Sequence, residues 1–315
     1  MEWNGTLVLS LGGYVEVDKY RYVYFLFFMV LYVLILSSNC IIICVIWIHR
    51  NLHEPMYIFI AALSLNSLVF STVIYPKLIV DVLSQKQRVS YSVCLVQIFL
   101  FYSLAGSDLM LLSAMAYDRY VSICRPLQYA TTMGKTAVSV YLALAWFFPA
   151  CQMLVTTIIQ SKQKVCSFTL GGFYCNVSMI KIHCTTPKSL TVWTLISLIN
   201  IGVIPVLFIV LTYIKIFIVA YRSHREAWRK AVDTCLPHLI VLFTFTCLVF
   251  FDVITELLES LLPKSLRLIM SLQIVVFNPL FNPIMYGLKM KEIWKHIKRL
   301  LLLCCKHEII KNQVD

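Results

Sequence analysis

Seven apolar runs, each long enough to cross a bilayer, alternate along the chain with polar connectors. They cover Tyr22–Ile48, Met56–Leu83, Tyr91–Cys124, Thr136–Gln160, Ser189–Tyr221, Leu236–Leu258 and Leu261–Leu288. The runs are continuous and do not alternate in the way membrane-barrel strands do, so they predict transmembrane helices. After the last run, Lys289 to Leu303 sets Ile293, Trp294, Ile297 and Leu300–Leu303 against lysines. That spacing predicts an amphipathic helix lying along a leaflet. The pattern divides the chain into a tail (1–21), a seven-helix all-α bundle (22–288), and an amphipathic helix with a second tail (289–315).

Polar residues inside the runs mark contacts between helices. Asn39 is the one strongly polar residue within the first run, and an amide in hydrocarbon seeks a partner helix. Pro76 is expected to bend the second span. Pro283 frees a backbone carbonyl in the seventh, with Asn282 beside it as the expected partner. Asp108 lies deep in the third run, where an ionisable group is a functional candidate by default. The third run ends in Tyr117-Asp118-Arg119-Tyr120, followed by Cys124-Arg125-Pro126. Neighbouring helix residues face each other poorly. Other helices are therefore expected to crowd round the Asp118–Arg119 pair, leaving Arg119 able to change partners.

The formal charge of +12 over 315 residues, 60% of them hydrophobic, fits basic flanks of membrane spans rather than a nucleic-acid surface. The short connectors holding Arg50, Arg125, Arg222 and Arg229 carry the excess, so they and the carboxyl end should face the cytoplasm. The segment Ser161–Lys188, with Cys166, Cys175, Cys184 and four lysines, is the longest polar interruption. Asn4-Gly5-Thr6 and Asn176-Val177-Ser178 are glycosylation sequons at Asn4 and Asn176. Met1–Lys19 lacks a basic start and a cleavage site, and reads as an uncleaved tail. Cys304 and Cys305 are candidates for acylation. No nucleophile–base pair, zinc spacing or phosphate loop stands out, so neither an enzyme nor a bound cofactor is expected.

Four strings carry a family resemblance. Met115-Ala-Tyr-Asp-Arg-Tyr-Val-Ser-Ile-Cys-Arg-Pro-Leu-Gln-Tyr129 resembles the end of the third helix of odorant receptors, a branch of the rhodopsin-like G protein-coupled receptors. Leu52-His-Glu-Pro-Met-Tyr57, Lys230-Ala-Val-Asp-Thr-Cys-Leu-Pro-His-Leu239 and Pro279-Leu-Phe-Asn-Pro-Ile-Met-Tyr286 are similar to that family's other motifs. The resemblance runs from about Asn39 to Leu303. It implies a plasma-membrane receptor, amino end outside, that binds a small odorant among its helices and activates a heterotrimeric G protein of the stimulatory, olfactory type. A non-olfactory chemosensory receptor is the first alternative. A small-solute transporter is the second, although no inverted repeat is visible.

By resemblance, Cys94 pairs with Cys175 and Cys166 with Cys184. Asp118, Arg119, Tyr120, Tyr213, His238, Asn282, Pro283 and Tyr286 form the activation switch. The family's second-helix acid is Ser67 here, after Asn66. A sodium site would therefore need Asp108 as its acid, with Asn66, Ser67 or Asn282 as neutral ligands. The competing reading is a protonated Asp108 hydrogen-bonded within the bundle. Helix register points Phe101, Tyr102, Ala105, Gly106, Ser197, Ile201, Val249, Phe250, Val253 and Val275 toward a ligand space, mostly apolar as such sites are. Phe101 stands where amine receptors of the superfamily keep an Asp, which disfavours an amine held there. The family's usual sixth-span tyrosine is Thr246.

Overall fold

The computed structural model describes residues 2–3, 6–223, 225–257, 261–290 and 292–299. Seven long helices form the bundle: α1 (Val17–Ile48), α2 (Pro55–Leu83), α3 (Tyr91–Cys124), α4 (Lys135–Ser161), α5 (Lys188–Arg222), α6 (Arg225–Leu257) and α7 (Lys264–Lys289). A short helix, α8, follows at 292–299. The amphipathic segment is thus helical as far as it is described. Leu300–Leu303, Cys304 and Cys305 lie outside the described residues, as does Asn4.

Helix ends agree with the hydrophobic pattern except where charge masks it. α1 begins at Val17, ahead of the tail boundary read at 21, because Asp18 suits a first turn. α6 begins at Arg225, eleven residues before its apolar run, so the charged connector is largely helical. In α5 the turn Leu198–Val203 widens to a π-helix just before Pro205, whose missing N–H cannot return to the Ile201 carbonyl.

α3 is the axis. It packs on α2, α4, α5 and α6, and 67% of its apolar stretch is buried against 28% for α1 and 22% for α4. The outer faces of α1, α4 and α5 expose Leu26, Val33, Phe147, Leu195 and Leu211. Such apolar surface suits lipid rather than water.

One end of the bundle carries a cap that the hydrophobic pattern did not anticipate. Thr6–Leu11 forms a strand (β2, after a two-residue β1, Glu2–Trp3). It pairs antiparallel with β3 (Arg88–Ser90) and parallel with β4 (Thr169–Leu170) of the long polar segment. The strand buries Leu9 and Leu11 and leaves Ser10 exposed, the period-two alternation of a half-buried strand. Gly13 then passes so close to the loop that an added Cβ would lie 2.4 Å from the Gly172 carbonyl carbon and the Phe173 nitrogen. Only glycine fits that crossing.

Candidate functional site

At the end opposite the cap, Asp118 is fully buried. Arg119 folds back onto it through Nη2 at 2.5 Å and Nε at 2.9 Å. Adjacent helix residues face each other poorly, and the pair forms because the long guanidinium arm bends round to its neighbour. The Tyr129 hydroxyl donates to the other carboxylate oxygen at 2.8 Å. Tyr129 sits on the one-turn helix Tyr129–Thr132 of the connector, and sequence reasoning treated it only as part of a motif. Burial, and then the Asp118 charge, hold its phenol well above the ordinary range.

The remaining switch residues are distributed round this pair. The Tyr213 hydroxyl is buried without a hydrogen-bond partner among the described residues. Tyr286 lies 3.3 Å from Nδ1 of buried His238. Neither tyrosine bonds to Arg119. Tyr120 packs at the edge of the core that holds Tyr213 and Tyr286, with the Arg125 guanidinium 5.8 Å above its ring. The carbonyl freed by Pro283 belongs to Pro279. Its donor is Asn39 of α1, at 3.0 Å, and not the expected Asn282. Asn282 instead reaches Ser67 at 3.4 Å.

Midway along the bundle, Asp108 is held by amides from two helices. Asn66 donates to one oxygen and Asn278 to the other, both at 2.8 Å. The Asn66 amide is oriented by three partners: it also donates to Leu104 at 2.9 Å and accepts from Trp146 Nε1 at 3.1 Å. These residues do not fit a sodium site in this arrangement. A cation needs oxygens around it, whereas two N–H groups face the carboxylate, and Asn282 is turned to Ser67. Asn278, absent from the sequence-derived set, is the residue that completes the network.

At the capped end, Phe101, Tyr102, Val249 and Val275 come together as expected, but around a wedge from the chain itself. Phe173 and Tyr174 insert among them. Tyr174 stacks on Phe101 at 5.3 Å and lies 3.5 Å from Asp252 of α6. Tyr102 accepts a hydrogen bond from the Val177 amide. Gly106, Ser197 and Ile201 do not join this group. A Cβ on Gly106 would meet Ile201 at 2.6 Å and Pro149 at 2.9 Å, so Gly106 is a packing notch for α4 and α5. Ser197 donates to Gln152 of α4 at 3.1 Å. Ala105 packs with the core nearer the opposite end. The side chains of Phe250 and Val253 lie outside the described residues.

Both expected disulfides form, Cys94–Cys175 and Cys166–Cys184. The first ties the wedge to the start of α3. The Asn176 sequon is corrected: its side chain is 1% exposed and accepts from the Ser178 amide and hydroxyl, which leaves no room for a glycan.

The profile of the olfactory receptor family matches residues 28–304. The chain belongs to that family. Among curated relatives it is similar to human olfactory receptor 10K1 (33% identity, covering 91% of this chain and 92% of the relative). Human olfactory receptor 11A1 is 32% identical, with 92% of each chain covered. The rat olfactory receptor 1500 is 31% identical over 96% and 97%. This olfactory receptor thus spans nearly the full length of relatives that differ at two positions in three.

Proposed function

We propose that this olfactory receptor resides in the plasma membrane with its cap outside, binds a small odorant beneath the cap, and activates a heterotrimeric G protein of the stimulatory, olfactory type. The observation that carries the reading is the closed state of the inner end. Arg119 is held by Asp118, Asp118 is held in turn by Tyr129, and the Tyr213 hydroxyl is left without a partner. A buried phenol without a hydrogen bond costs about 1–3 kcal/mol. A second arrangement in which Tyr213 gains a partner at Arg119 offsets that cost. Two states of similar energy are what a ligand needs in order to shift a population. At the outer end, a ligand that takes the place of the Phe173–Tyr174 wedge would move α6 through Asp252.

The basic inner connectors support the orientation, and the disulfide-linked cap supports an oxidising outer face. The test is cyclic AMP in cells expressing the chain, against a broad odorant panel, with Arg119→Ala as control. A ligand-dependent rise that the variant loses supports the reading. A response that survives in Arg119→Ala, with proven surface expression of both proteins, contradicts it.

A further inference from the structure

We propose that a groove between α3, α4 and α5, opening to the lipid on the inner half of the bundle, is a sterol-binding site. Its volume is about 300 Å³. The cause lies in the sequence: Ala114 of α3 and Ala145 of α4 meet where larger residues would close the contact, and both are buried as its floor. Leu144 and Phe208 form its walls, and each exposes roughly half of its surface on the membrane side. Tyr117 and Tyr141 close its inner end with their rings 5.9 Å apart, edge to face.

Three observations select the occupant. The groove faces the bilayer, so the occupant is a membrane component. No charged residue lines it; its hydroxyls are those of the phenol pair and of Ser113, whose Oγ already donates to the Leu109 carbonyl at 2.9 Å. The polarity left for an occupant is that of the phenols, which complements a single hydroxyl on an apolar body and not a phosphate headgroup. The depth also fits. The 34 residues of α3 make it roughly 51 Å long, against about 30 Å of hydrocarbon, so roughly 10 Å projects at each end. Tyr117 lies seven residues from the inner end of α3, and Tyr141 six residues from that of α4. Both phenols therefore sit near the inner edge of the hydrocarbon, where a sterol carries its hydroxyl. The flat alanine floor suits a rigid ring system, whereas a flexible acyl chain would lose conformational freedom by lying in it.

The experiment uses the full-length receptor in phosphatidylcholine nanodiscs with a photoactivatable cholesterol analogue, and labelled peptides are mapped by mass spectrometry. Labelling is expected on peptides holding Tyr117 and Tyr141, competed by cholesterol and poorly by its 3α-hydroxyl epimer. Ala145→Leu should reduce it by roughly tenfold by filling the floor. Tyr141→Phe leaves the fold intact and should cost about fivefold, the worth of one hydrogen bond, and erase the preference between epimers. Equal labelling by photoactivatable phosphatidylcholine would overturn the proposal in favour of a general lipid contact, as would equal competition by both epimers. Labelling unchanged in Tyr141→Phe would do the same. None of these readouts requires an odorant or a G protein.

Discussion

Gly106→Ala separates two roles for one residue, because register points it at a ligand and the structure points it at helix packing. The new Cβ would stand 2.6 Å from Ile201 Cγ2 and 2.9 Å from Pro149 Cβ, with a third contact to Pro149 at 3.3 Å. Carbon atoms prefer about 3.5–4.0 Å, so two contacts fall short by roughly 1 Å. Neither neighbour yields easily: one is a proline ring and the other a β-branched side chain with a stiff χ1. Overpacking of this kind costs about 1–3 kcal/mol, and two rigid clashes place it in the upper half of that range. Alanine returns about 1 kcal/mol of helix propensity. The net expectation is a loss of about 1–2 kcal/mol. The assay is thermal unfolding of purified receptor, with a shift of roughly 2–6 °C downward, alongside surface expression by flow cytometry. Ile201→Ala removes the nearer clash, so the second substitution should rescue part of the first, an interaction that a double-mutant cycle measures directly. Unchanged stability combined with altered odorant potency would refute the packing role and return Gly106 to the ligand wall.

Other consequences are as direct. Tyr129→Phe removes a charge-assisted hydrogen bond from Asp118, worth about 1.5–3 kcal/mol, and should raise ligand-independent cyclic AMP; unaltered basal signalling would detach Tyr129 from the switch. Asn39→Ala leaves the Pro279 carbonyl without its donor and should destabilise the bundle by about 1–3 kcal/mol, seen as a lower unfolding temperature, whereas Asn282→Ala should cost less because its bond to Ser67 is long. His183, buried under the cap, has its pKa pushed below the ordinary 6.5 by burial, against a weaker opposing effect of the Ile180 carbonyl, which accepts from the imidazole. The unfolded chain then binds the extra proton more readily than the folded one, so stability should hold above about pH 6.5 and decline as pH falls through that value; His183→Gln should flatten the profile. Enzymatic deglycosylation should shift the electrophoretic mobility of wild type and of Asn176→Gln equally, which a glycan at Asn176 would prevent.

Much of the fold was legible because hydrocarbon imposes a single rule, that every backbone group be satisfied within a helix. That rule locates each span from its apolar run. It does not apply in water, which is why the amino-terminal extension of α6 through Arg225–Lys230 is not legible: its residues are charged and look like a loop. The strand Thr6–Leu11 was visible in principle through its Leu-Val-Leu-Ser-Leu alternation, but its partners lie far along the chain and a period of two over six residues is a weak signal. The switch motifs were legible as strings. Their hydrogen bonds were not, since Asn39 finds Pro279 and Asn278 finds Asp108 across distances that no local pattern encodes. Register turns Phe101 and Val275 inward, and they meet at the capped end, but it could not foresee that Phe173 and Tyr174 would fill the space between them. The π-turn at Leu198–Val203 breaks the α-helical period on which register in α5 depends; Ser197 and Ile201 are buried, as register has them, and they meet α4 and α3 rather than the Phe101 group.

The cap has a consequence for how the protein is made. Ser10 and Thr169 pair in the finished sheet although about 160 residues lie between them. At a synthesis rate of about 5–20 residues per second, the amino-terminal strand waits roughly 8–30 seconds before β4 is made. Arg88–Ser90 can cover one edge of the strand after about 80 residues, but the Ser10–Leu11 edge that meets Thr169–Leu170 stays open until that loop is made, a state prone to wrong pairing. Cys94 likewise has no native partner until Cys175 is made. Completion of the cap is thus a race between synthesis of the long loop and mispairing of a short apolar strand.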